Sequence, residues 1–138
     1  MTNKLIKIEA EELWNNDFSW RKNILAFIKR RKLGKLMLKS ARMLANNPEI
    51  AVESLPLLKV KPIRYVKKFK QIFMSMSEKG YVPTEKDVIS VYDKRGTLFC
   101  CDGHRRLACI LALGKQKMIE VSLSPTRSPG CSSPGNLF

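Results

Sequence analysis

The sequence predicts an α+β fold: a small mixed sheet with flanking helices, preceded by a basic helical extension. Three observations lead there. Short runs rich in β-branched and aromatic residues, at 88–92, 97–101 and 118–123, are bounded by turn residues and read as strands. Apolar residues recur every three or four positions over 63–78 and 105–113, the spacing of amphipathic helices. Between Phe18 and Pro48 a helical apolar pattern carries nine basic residues (Arg21, Lys22, Lys29, Arg30, Arg31, Lys32, Lys35, Lys39 and Arg42) and no acid.

Residues 4–13 form a short mixed segment with a helix through Ala10 to Leu13. Asn15, Asn16, Asp17 or Ser19 can accept from the unpaired N–H groups of the next helix, which is expected to start near Trp20 and run to about Ala45. Its apolar positions are Ile24, Phe27, Ile28, Leu36, Met37, Ala41 and Leu44, and Gly34 either bends it or splits it in two. Asn46-Asn47-Pro48 ends the run. Residues 1–48 are therefore expected to be an extension, with the compact domain at 53–123.

Within that domain, residues 55–60 read as a strand confined to an edge or a strand start by Pro56. The helix at 63–78 is patterned by Val66, Phe69, Ile72, Phe73 and Met76, and stops at Lys79-Gly80. Asp93-Lys94-Arg95-Gly96 joins the next two strands as a hairpin loop. A helix at 105–113, a break at Gly114 and a last strand at 118–123 follow. Residues 124–138 are rich in Ser, Pro and Gly, lack a packing pattern and are expected to be disordered.

The chain has 138 residues, enough for one domain with a modest core. Lys and Arg number 26 against 12 Asp and Glu, a net charge of +14. The excess lies in the first half, with 17 basic and 6 acidic residues in 1–70. Such a field attracts nucleotides, DNA or another polyanion, or an anionic membrane surface. Lys29, Arg30, Arg31, Lys32 and Lys35 are the candidate contacts to nucleic acid or to an anionic surface; a helix face that only packs and dissolves is the plain alternative.

Four cysteines (Cys100, Cys101, Cys109 and Cys131) and a single histidine lack the spacing of a structural zinc site, so no metal site is expected. The first three read as small buried residues in a reducing compartment. Met1-Thr2-Asn3-Lys4 leads into Glu9, Glu11 and Glu12 without the apolar segment of a secretory leader. No apolar run approaches the ~20 residues that span a bilayer. A cytoplasmic location without a transmembrane segment is the expectation.

Asp102-Gly103-His104-Arg105-Arg106 is the candidate site. A strand that turns through glycine into a helix presents unpaired amides and the positive end of the helix dipole. Gly103 gives the turn its backbone freedom and lets a phosphate approach; Arg105 and Arg106 can grip the phosphate oxygens. The two arginines lie ~100° apart around a helix, so one can hold the ligand while the other pairs with an acid or with solvent. Asp102 is expected to cap the helix, the alternatives being to orient an arginine or to help hold a metal ion on the phosphates. His104 is the one catalytic candidate, against a plain structural role. Glu53, Glu78, Glu85 and Asp87 are the carboxylates available as a base, and their spacing singles out none.

Residues 92–108, Tyr-Asp-Lys-Arg-Gly-Thr-Leu-Phe-Cys-Cys-Asp-Gly-His-Arg-Arg-Leu-Ala, resemble the hairpin and phosphate-binding box of the ParB/sulfiredoxin-like superfamily, which includes the ParB-like nuclease domains. The resemblance covers about residues 55–123, half of the chain. It implies that fold and a bound nucleotide (ATP, ADP or CTP, with or without Mg²⁺) at the box from Asp102 to Arg106. His104 stands where sulfiredoxins carry their catalytic cysteine and ParB proteins a glutamate, which argues against either complete activity. The expected function is a phosphate- or nucleotide-binding domain acting with nucleic acid. If the protein is an enzyme, nucleotide hydrolysis or phosphoryl transfer is implied. A small-molecule kinase of the free-serine-kinase type and a membrane-surface accessory protein are the alternatives.

Overall fold

The computed structural model describes residues 4–17, 24–84 and 87–124. In chain order these form β1 (Lys4–Glu9), α1 (Ala10–Asp17), α2 (Ile24–Asn46), α3 (Ile63–Lys79), β2 (Ser90–Lys94), β3 (Thr97–Asp102), α4 (His104–Leu113) and β4 (Met118–Ser124). The fold is α+β, with one four-stranded mixed sheet in the order β1-β4-β2-β3. Both outer pairs are antiparallel and the central β2–β4 pair is parallel.

The β2–β3 hairpin turns at Arg95-Gly96, both at positive φ (54° and 85°). Two such residues form the tight turn whose twist matches that of paired strands. Asp93 secures it by accepting the Gly96 N–H at 2.8 Å. After β3 the chain passes Gly103 straight into α4. This helix is mostly buried through Leu107, Ala108, Cys109 and Ile110, and α1, α2 and α3 all pack against it. One core joins it to Phe69 and Phe73 of α3, Met37 and Leu44 of α2, Leu13 of α1, and Val91 and Val121 of the sheet.

Three expectations change here. Residues 1–48 are not an extension. β1 pairs along its whole length with β4, from Lys4 opposite Leu123 to Glu9 opposite Met118, and α1 and α2 contribute fully buried core residues. Strand pairing between the two ends of the chain leaves no local trace in sequence, so β1 looked like a mixed segment.

Residues 55–60 are not a strand. They follow and form short 3₁₀ turns, Val52–Ser54 and Pro56–Lys59, with Leu55 and Leu57 buried and the Leu57 N–H donated to Ser40 Oγ at 3.0 Å. Pro56 lacks an N–H and its fixed φ suits the start of a helical turn better than a ladder.

The helix carrying the basic residues runs through Gly34 as one piece, because Gly34 is buried on the face that meets the core. The expected start near Trp20 and the cap at Ser19 lie outside the described residues, as does nearly all of the tail expected at 124–138. Cys100 and Cys109 are buried free thiols as expected, whereas Cys101 is half-buried and disulfide-bonded, so it does not fit that reading.

Candidate functional site

At the junction between β3 and α4 Gly103 has φ +106°, a conformation that side-chain-bearing residues rarely adopt. A Cβ there would stand 2.9 Å from Ile89 Cγ1 and 3.2 Å from Ile89 Cα. Glycine is thus required twice, for its dihedral and for the close approach of Ile89, which immediately precedes β2. Its carbonyl accepts the Leu107 N–H at 2.9 Å, the first hydrogen bond of α4.

The five residues expected to form a single phosphate box separate in space. Asp102 is exposed at the end of β3, and no side chain caps α4, so its expected capping role is not seen. Gly103 is buried against Ile89. His104 turns inward: its Nε2 lies 2.7 Å from Asp17 Oδ2 and 3.2 Å from Arg30 Nη2. Asp17 is fully buried and also pairs with the Arg30 guanidinium, whose Nε donates to the Asp17 carbonyl at 3.1 Å. These three side chains tie the end of α1, the second turn of α2 and the start of α4 together inside the protein. His104 accordingly faces Asp17 and Arg30 inside the protein.

Arg30 is likewise removed from the expected surface contacts, being only 4% exposed. A buried arginine beside a buried carboxylate is an internal ion pair; Arg30 shares the helix face of Leu33, Met37 and Leu44, whereas its neighbours Lys29, Arg31, Lys32 and Lys35 are exposed.

Arg105 and Arg106 do come together, on the wall of an open cavity of about 460 Å³ between α3, the segment after it and the first turn of α4. Lys68 and Lys79 of α3 join them, and among the described residues Asp87 is the carboxylate on the wall. Ile72, Met76 and Val82 supply an apolar portion, and Ser75 and Thr84 supply hydroxyls. Arg106 Nη2 donates to Asp87 Oδ1 at 2.9 Å. Arg105 lies over the Tyr65 ring, 5.0 Å from its centre. Burial pushes the Tyr65 hydroxyl pKa above its usual value, partly offset by the Arg105 charge.

Tyr81 is a fixed part of the wall. Its hydroxyl donates to the Glu120 carbonyl at 2.6 Å and accepts the Ile89 N–H at 3.0 Å, while its own N–H is donated to Gln116 Oε1 at 3.1 Å. Burial raises the Tyr81 pKa, with the Ile89 hydrogen bond and the Arg106 charge acting the other way. The phenol therefore stays protonated as a donor, and the segment from Gly80 is pinned to β4.

Lys68 and Lys79 were not singled out by sequence, since charges on an amphipathic helix look alike whichever wall they reach; Tyr81 was missed because its hydroxyl partners lie 8 and 39 residues away in the chain. Of the four carboxylates considered as a base, Asp87 lines the cavity; Glu53 and Glu78 are exposed and do not. Glu85 lies outside the described residues.

No protein family, curated protein or solved structure matches this chain. Among the described residues, no helix is long and apolar enough to cross a membrane.

Proposed function

We propose that the cavity between α3 and α4 binds the phosphate groups of a nucleotide. The observation that carries this reading is its charge: among the described residues, Lys68, Lys79, Arg105 and Arg106 stand against Asp87 in one concave site with an apolar portion. Guanidinium forks and ammonium groups hold a polyphosphate; Ile72, Met76 and Val82 offer a surface for a base or sugar. The resemblance of residues 92–108 to the ParB/sulfiredoxin-like box points to the same ligand class. In this reading the phosphate meets the arginine side chains rather than the Gly103 amide, because Ile89 covers Gly103. Mg²⁺ bound with the nucleotide would meet Asp87, a carboxylate on the wall.

The test is calorimetric titration of the whole protein with ATP, ADP and CTP, with and without Mg²⁺. Charge-assisted hydrogen bonds contribute about 1.5–3 kcal/mol each, so Arg105→Ala/Arg106→Ala should weaken binding by at least about a hundredfold. No heat with any nucleotide, or equal affinity in the double variant, would overturn the reading. A phosphotransferase of the free-serine-kinase type is the second reading. It draws on Asp87, a carboxylate beside the cations, and predicts turnover of ATP or ADP with a free hydroxy amino acid that Asp87→Asn abolishes.

The expected nucleic-acid partner is no part of this cavity and would have to meet the basic face of α2. The residues that share that face bear on it directly.

A further inference from the structure

Ile24, Ile28, Arg31, Lys35, Lys39 and Arg42 follow one another at intervals of four, three, four, four and three residues. On a helix with 3.6 residues per turn they form one straight stripe along all of α2. Every one of them is exposed. Leu25 and Lys32 flank the stripe, also exposed. The opposite side of the helix is buried in the core through Leu33, Met37, Ala41 and Leu44. The stripe is therefore a fixed outer wall of the domain.

Its two parts differ in chemistry. At the N-terminal end Ile24, Leu25 and Ile28 are 56%, 65% and 54% exposed, a cluster of large aliphatic side chains in water. Beyond it the stripe is wholly cationic, and α2 contains no acidic residue at all. Arg31 lies over the Phe27 ring at the junction, 5.5 Å from its centre.

We propose that this face of α2 docks on the surface of a bilayer that contains anionic lipid. The aliphatic cluster enters the boundary between headgroups and acyl chains, and the cations that follow lie among the anionic headgroups, their flexible stems reaching outward. A nucleic-acid backbone would account for the cations. It would gain nothing from Ile24, Leu25 and Ile28, which it would desolvate against phosphates. The helix cannot insert more deeply, because its other side is core.

The experiment is co-sedimentation of the full chain with vesicles of phosphatidylcholine mixed with phosphatidylglycerol, with pure phosphatidylcholine vesicles as the comparison, and duplex DNA binding measured in parallel. The protein should sediment with the mixed vesicles only, and added salt should weaken the association. Ile24→Lys/Ile28→Lys adds two positive charges and removes the aliphatic cluster. It should cut vesicle affinity at least about tenfold while leaving or strengthening any DNA binding. Lys35→Glu/Lys39→Glu should weaken vesicle binding as well, and Arg105→Ala/Arg106→Ala should leave it unchanged, since that cavity is elsewhere.

Failure to sediment with the mixed vesicles would overturn the proposal. So would vesicle binding by Ile24→Lys/Ile28→Lys at wild-type strength, or duplex binding tighter than vesicle binding, which would make nucleic acid the occupant. Thermal melting checks that each variant folds, and Ile28→Ser, a milder change, should lower vesicle affinity in the same direction.

Discussion

Gly103 and Asp17 show how much single residues decide here. Substituting alanine for Gly103 puts a Cβ 2.9 Å from Ile89 Cγ1 and 3.2 Å from Ile89 Cα, in a backbone conformation that disfavours any side chain. Strain and overpacking together should cost about 3 kcal/mol, read as a lower urea midpoint for Gly103→Ala. Asp17→Asn should be at least as damaging. It removes the charge that Arg30 and His104 share in a site where Arg30 is 4% exposed, and a buried ion pair broken on one side costs about 3–5 kcal/mol. Equal urea midpoints for Asp17→Asn and the wild type would show that the three side chains do not hold α1, α2 and α4 together. Sequence made Gly103 legible, because a glycine between a strand and a helix signals a turn. It could not make Asp17 legible, since its partners are 13 and 87 residues away along the chain.

At the scale of elements, β1 is the sharpest case. Ile8 is 5% exposed and stands opposite Ile119, whereas Leu5 is 54% exposed in the same strand. Ile8→Ala should therefore lose about 3 kcal/mol and Leu5→Ala no more than about 0.5 kcal/mol in equilibrium unfolding. A detached N-terminal segment would leave both variants at wild-type stability. The helices at 63–79 and 104–113 were readable because amphipathic spacing is a local property that tertiary contacts only reinforce. The hairpin was readable because its turn chemistry is local too. The 3₁₀ turns at 52–59 were not, because a short apolar run with one proline is compatible with an edge strand until the buried Leu57 amide finds Ser40.

Across the whole molecule one core takes side chains from β1 through β4, so residues 53–123 do not carry a complete core by themselves. The same core fixes the response to alkali. Burial raises the Cys109 thiol pKa from an ordinary 9.0 to about 12, opposed by Arg105 and Arg106, and the Cys100 thiol is pushed well up by burial and by Asp17 and Asp102. A raised folded-state pKa means that the unfolded chain releases its proton first. The stability contributed by the neutral thiol is thus complete below pH 9.0 and lost as pH climbs toward about 12. Urea midpoints should fall across that window, and less steeply in Cys109→Ala. An unchanged slope in that variant would show that Cys109 does not titrate in this way.

The residue order alone determined what depends on near neighbours: the amphipathic helices, the tight hairpin, the glycine that turns β3 into α4, and the surplus of positive charge. Only the tertiary structure decided which charges share a wall. It sent His104 and Arg30 inward to Asp17, gathered Arg105 and Arg106 with Lys68 and Lys79 around one cavity, and brought the first strand to the last. The physical reason is that a side chain's surroundings are set by contacts between segments distant in the chain, and periodicity within one segment carries no record of them.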